Sequence, residues 1–293
     1  MIRTECTSPF ASATSPKLEH HWENQDTYLH LNKGAAGVMA AVFDGVAGAG
    51  PDGGKASLLV AKLLWHNLNM SDLLSSPDEI ATRLPKILQA ADRHLKHMAK
   101  QGHIGERGGT TAVMAAVRWP ESPKMPVCNV VVSWAGDSRA YILLPDNQLH
   151  CVTVDNEAGV VLYGWNMVKH RLGRTYQPFL SNATSAEHLD TPEKRQAFRE
   201  RNILDVALWA EPDVPTPQYA VSVVRIPLGS KLILCTDGLS DNLTDNEIQE
   251  ILVSAHPLHG AKALVEAARR RSDENNFRAK PDDCTVVEVV LSR

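Results

Sequence analysis

The chain has 293 residues, 43% apolar and 22% charged, with a net charge of −4; that is the make-up of an ordinary globular protein long enough to bury a large core. The balance leaves no basic footprint for a nucleic acid and no polybasic patch for a membrane, so neither partner is expected. The five cysteines are odd in number and form no CxxC pair, which reads as free thiols in a reducing compartment rather than a disulfide framework.

Residues 1–17, MIRTECTSPFASATSPK, are rich in Ser, Thr and Pro and hold no apolar core of signal-peptide length. They are expected to form a loose arm ahead of one domain over 18–293, in a cytosolic monomer; secretion by a route without such a signal stays open. YLHL (28–31) alternates like an exposed strand, and AGVMAAVFD (36–44) reads as a buried strand ending in Asp44. The glycine-rich loop 45–54 leads to helical spacing over 55–70 and again over 77–100, where Pro85 either kinks the second helix or restarts it.

Strand signals follow at 108–119, 127–138, 139–144 and 148–154. Residues 155–216 show little strand pattern and one modest helical pattern near 192–208, and are expected to be an inserted flap. Strand character returns at 219–226 and 231–238, then two helices over 244–255 and 260–272, and a last strand, CTVVEVVLS, over 284–292. Helices grouped between runs of hairpin-linked strands point to an α+β fold, with antiparallel sheets and helices outside.

Acidic residues mark several strand ends. Asp44 and Asp237 each close an apolar run and precede a glycine, Asp137 follows Gly136, Asp283 opens the last strand, and Asp26 stands beside the first. Carboxylates converging on one sheet rim repel each other unless cations lie between them. Such hard oxygen ligands suit Mg²⁺ or Mn²⁺, whereas zinc would recruit His or Cys, and no HExxH is present.

VFDGVAG, GGTTAV, WAGDSRAYIL, LILCTDGLSDNLTDNEI and DDCTVVEVV, taken in that order and approximate spacing, resemble the type 2C metal-dependent serine/threonine protein phosphatases from about residue 22 to 291. The resemblance implies a four-layer α-β-β-α sandwich, two antiparallel sheets flanked by helices, with two divalent ions at one edge. It makes Asp44 a bridging ligand, adds the Gly45 carbonyl, and completes the set with Asp237 and Asp283. Asp26 would hold a metal directly or through water, and Asp137 would help a third, weaker ion. It further implies hydrolysis of phosphoserine and phosphothreonine in proteins by attack of a dimetal-activated water, without a protein nucleophile. Cys235 is then a packed strand residue.

The sequence departs from the family in places. Val46 stands where many members carry a proton-donating histidine, and Gln25 where glutamate is frequent. The arginine that grips phosphate in many members is missing just upstream, leaving His20 and His21, with His21 the candidate and Arg3 further off, or Arg171 and Arg174 of the flap by analogy. An aspartate-nucleophile hydrolase is a poor rival, because Val42 stands where its nucleophile would be. A phosphatase-like binding or regulatory module, catalytically weak or inactive, is the alternative; the retained Asp44, Asp237 and Asp283 favour the enzyme. Asp282 reads as an exposed turn residue, and Trp134 and Trp165 as packing residues.

Overall fold

Successive side chains of a strand face opposite ways, so a strand that is apolar at every position must be covered on both sides. The computed structural model describes residues 9–17, 24–46, 51–67, 76–120, 122, 124 and 126–292, with the backbone of 3–7. One sheet runs β1 (Arg3–Thr7), β2 (Phe10–Ser15), β15 (Cys284–Val290), β14 (Lys231–Cys235), β9 (Arg139–Leu143), β10 (Leu149–Cys151). The second runs β11 (Val161–Tyr163), β13 (Ala220–Pro227), β8 (Val127–Ala135), β7 (Ala112–Arg118), β4 (Gly37–Phe43), β3 (Thr27–Asn32). A small third sheet joins β12 (Leu208–Trp209), β6 (Gly109–Thr110) and β5 (Gly45–Val46). Pairing is antiparallel except that β11 lies parallel to β13, an exception to the expected all-antiparallel sheets.

β4 shows how the core divides. Val38, Ala40 and Val42 meet Ala140, Ile142, Leu232, Leu234 and Val287 of the other sheet. Met39, Ala41 and Phe43 turn the other way, onto α1 (Asp52–Asn67) and α2 (Pro77–Lys100), which contribute Val60, Leu64, Leu84 and Leu88. On the far side, Tyr141, Ile233 and Cys235 pack with Leu239, Ile248, Leu252 and Leu264. These last come from three helices that follow β14, α6 (Asp237–Ser240), α7 (Asp245–Ser254) and α8 (Gly260–Ser272). (α3 to α5 belong to the insertion.) α2 starts at Ser76 with a capping box closed by Glu79, and Pro85 lies inside one uninterrupted helix rather than dividing two. α7 starts with the same device, Thr244 with Glu247.

The N-terminal segment is not a loose arm over its described length. β2 pairs along β15 from Phe10↔Val289 to Ser15↔Cys284, and Phe10, Ala11, Ser12 and Ala13 are buried. Its small side chains, which give it the look of a linker, let α8 pack close over it. The composition of this stretch reflects close packing, not disorder.

Residues 155–216 carry more regular structure than their polar sequence suggests: β11, α3 (Gly164–Leu172), α4 (Gln177–Leu180), α5 (Pro192–Arg199) and β12. Buried polar anchors tie them to the scaffold. Asp92 of α2 accepts from the Trp209 N–H at 2.9 Å and also bonds Lys96 and Thr216. Arg139 of β9 clamps Asp155 through two bonds of 3.0 and 2.7 Å. Arg278, 2% exposed, donates to the carbonyls of Leu180 and Ala183 on one side and of Ser240 on the other, at 2.6 to 3.0 Å. Its burial, the largest influence, pulls its pKa down to about 10.

Candidate metal centre

Asp44 is the residue that β4 delivers past its last buried position, and two threonines fix its backbone. Its N–H donates to Thr111 Oγ1 at 3.1 Å, and its carbonyl accepts from the Thr111 N–H and from Thr110 Oγ1, both at 2.9 Å. Thr111 Oγ1 is bonded in turn to Ser138 Oγ at 2.7 Å. The GGTT and GDS stretches therefore act here as props for the Asp44 backbone. Gly45 must lack a side chain: a Cβ there would lie 2.4 Å from the Gly53 carbonyl carbon and 2.7 Å from the Gln25 oxygen.

Asp237 enters from the other sheet, as the first residue of α6 directly after β14. Gly238 beside it lets the last strand come close, since a Cβ would stand 1.9 Å from the Asp283 oxygen. The Asp44 and Asp237 carboxyls stand beside each other, each acting on the other's charge. Asp26 closes a third side, its Oδ2 accepting from Thr236 Oγ1 at 2.8 Å. Lys280 places Nζ 2.6 Å from Asp237 Oδ2, 2.8 Å from Asp241 Oδ2 and 3.0 Å from Asp282 Oδ2.

Charge is the dominant property of this cluster. Burial first, then neighbouring carboxylates, pushes Asp26, Asp44 and Asp137 well above the ordinary carboxylate range. The same two causes raise Asp282 to about 6. Burial also acts to raise Asp237, but the Lys280 ammonium and the hydrogen bonds from Lys280 and Asp44 outweigh it, and its pKa falls. Asp26 Oδ1 and Asp237 Oδ1 are buried with no hydrogen-bond partner. Orphaned carboxylate oxygens among repelling neighbours fit a bound cation, which supplies the partner they lack. As the side chains stand, no group of three His, Cys, Asp or Glu among the described residues is arranged to hold an ion. One reason is visible: Asp237, Asp241 and Asp282 each turn an oxygen to Lys280.

Asp283, expected as a ligand, is placed otherwise. Its Oδ1 accepts from the Lys17 N–H at 2.6 Å and its Oδ2 from the Gln25 N–H at 2.8 Å, so it braces the chain leading into β3. Asp283 and its neighbour Asp282 both act on the cluster: after burial, Asp283 leads the carboxylates that raise Asp26, and Asp282 follows Asp237 and Asp26 in raising Asp44. Asp282 is half-buried, its side chain 33% exposed and its Oδ2 on Lys280. His20 and His21 lie outside the described residues. Arg171 is paired with Glu157, and Arg174 contacts His170 on the surface, so neither faces the cluster. Trp134 is fully buried, its Nε1 donating to the Val154 oxygen at 2.8 Å. Cys235 is fully buried, and burial drives its thiol pKa up.

A cavity of about 170 Å³ opens beside the cluster, lined by Asp137, Asp237 and Asp241 and by Tyr176, Gln177 and Arg201 of the insertion. Arg201 Nε stands 3.4 Å from Asp241 Oδ1. Lys280 and Arg201 were not legible as site residues, because each is a single charged residue without a local pattern; Asp241 lies inside LILCTDGLSDNLTDNEI but was given no role there.

A family model, described as protein phosphatase 2C, matches residues 18–275. The chain belongs to the protein phosphatase 2C family. Members of this family are metal-dependent protein phosphatases. The serine/threonine phosphatase stp of Listeria monocytogenes (serotype 4b, strain F2365) is 27% identical over 262 residues, 89% of each chain. In fold, the phosphatase resembles Stp1 from Staphylococcus aureus, at a TM-score of 0.68, 21% identity and coverage of 97% and 95%. It also resembles the catalytic domain of PstP in complex with two manganese ions, at a TM-score of 0.63, 22% identity and coverage of 100% and 99%. The family match ends before Lys280 and Asp282, so the arrangement there stands on this chain's own geometry. No helix among the described residues is long and apolar enough to cross a membrane.

Proposed function

We propose that this phosphatase hydrolyses phosphoserine and phosphothreonine in proteins, using two Mg²⁺ or Mn²⁺ ions held by Asp44, the Gly45 carbonyl, Asp237 and Asp282, with Asp26 behind them. The observation that carries this reading is the meeting of Asp44 and Asp237 beside the orphaned buried oxygens of Asp26 and Asp237. The ions, when bound, lower the pKa of a water and neutralise the phosphoryl oxygens.

The chain's own groups do the rest. Thr110 and Thr111 fix Asp44, Thr236 fixes Asp26, and Asp283 holds the Gln25 backbone against the last strand. Val46 cannot transfer a proton, so water or another acid must protonate the leaving alkoxide. The wall built by Tyr176, Gln177 and Arg201 gives residues 155–216 the task of shaping which phosphoprotein enters. On this reading the enzyme works as a monomer in a cytoplasmic signalling setting.

The test is phosphate release from a phosphothreonyl peptide with manganese and with a chelator. Release should appear with manganese and vanish with chelator. Turnover that ignores the metal would remove the mechanism.

A further inference from the structure

The insertion does more than wall the cavity, because its returning end joins the strands that carry Asp44 and Gly45. β12 is the edge strand of the small sheet whose other members are β6 and β5. Thr110 of β6 pairs with Leu208 on one side and Gly45 on the other, and Gly109 pairs with Trp209 and Val46. Thr110 is also the residue whose hydroxyl donates to the Asp44 carbonyl at 2.9 Å. One short strand, β6, therefore links the insertion to both Asp44 and the Gly45 carbonyl.

An edge strand of two residues has few ladder bonds of its own to hold it in place. It is held from behind instead. Asp92 of α2 is fully buried, and its Oδ1 accepts from the Trp209 N–H at 2.9 Å. Its Oδ2 is bonded by Lys96 and Thr216, and Lys96 Nζ donates to Thr216 Oγ1 at 3.0 Å. The Ala210 N–H donates to the Gly108 carbonyl at 2.8 Å, and the Trp209 indole covers Gly109 so closely that a Cβ there would run into it. A buried ion pair is a poor way to gain stability. What it gives here is a fixed acceptor for one N–H of β12.

We propose that Asp92 is a positioning residue for the metal centre: by fixing β12 it fixes β6, and through β6 the Asp44 backbone and the Gly45 carbonyl. The inference rests on the two-ion reading of that centre, and it makes residues 206–216 part of the support for the ions.

Two double variants test it, both lacking the ion pair so that neither leaves a buried charge alone. Lys96→Met with Asp92→Asn keeps an oxygen for the Trp209 N–H and an N–H for Thr216; Lys96→Met with Asp92→Leu keeps the size and removes the acceptor. Manganese titration followed by calorimetry should find the leucine variant binding about 10-fold more weakly than the asparagine variant, the effect of losing an outer partner of a metal ligand. Equal affinities would overturn the proposal, since a role confined to holding the fold lowers stability without separating the two in ion binding. Hydrogen exchange of the unsubstituted chain gives a second reading that needs no variant to fold. Saturating manganese should slow the amides of Trp209 and Ala210 as much as those of Thr110 and Thr111, and slow α5 of the same insertion much less. Amides of β12 that ignore manganese while Thr110 and Thr111 slow would overturn the proposal and leave the two-ion reading intact. An unsubstituted chain that binds no manganese would remove that underlying reading and the proposal with it.

Discussion

Asp44→Asn should lower manganese-dependent phosphate release by on the order of 10³-fold, ~4 kcal/mol of transition-state stabilisation, in a chain that stays folded. The substitution keeps the shape of the side chain, and the backbone bonds to Thr110 and Thr111 involve no carboxylate oxygen. What it removes is the charge that faces Asp237. Without metal the same change should stabilise the fold. Burial, then Asp237 and the other nearby aspartates, raises Asp44 in the folded chain, and a carboxyl raised by folding contributes stability that is present in acid and lost as pH rises through its folded pKa. The metal-free advantage of Asp44→Asn is therefore small in acid and grows with pH above the ordinary carboxylate value of 3.8. Urea unfolding of both chains across pH, with chelator present, reads this directly. An advantage that shrinks as pH rises would contradict the charge crowding inferred here.

Exchanging the two adjacent aspartates one at a time should separate chemistry from bracing. Asp282→Asn should cost 10² to 10³-fold in phosphate release, about 3–4 kcal/mol, and weaken manganese binding, with little loss of stability. Its carboxyl presses on Asp44 and contacts Lys280. Asp283→Asn should do the reverse. Its two oxygens hold the N–H groups of Lys17 and Gln25, and an amide can accept only one of those bonds well. A loss of about 2 kcal/mol of folding stability follows, while manganese affinity changes within a few-fold. Equal losses of metal affinity in both variants would return Asp283 to the ligand set.

That pair also shows where sequence reading stops. Asp44 and Asp237 were legible because each ends an apolar run before a glycine, a pattern with a physical reason: a buried strand carries the carboxylate to the rim, and the glycine permits close backbone contact. The Asp282–Asp283 step offers no such pattern. Neighbouring residues entering a strand face opposite ways, and which one faces the metal site depends on where β15 begins to pair with β2. Lys280 is harder still, since its role depends on three aspartates that meet only in the folded chain. Buried strands of the two sheets were readable from their apolar runs. The β1–β2 segment was not, because alanine and serine beneath α8 look like a linker in sequence. In the insertion only α5, within the 192–208 pattern, was legible; the rest is tied down by Asp92 to Trp209, Arg139 to Asp155 and Arg278 to the Leu180 carbonyl, contacts that leave no periodic signal.

Manganese titration followed by calorimetry and phosphate release together tests the central claim most directly. The account predicts two ions bound per chain, with phosphate release rising as they saturate and both signals collapsing in Asp44→Asn. Full phosphate release from a chain that binds no manganese, or unchanged binding in Asp44→Asn, would contradict it.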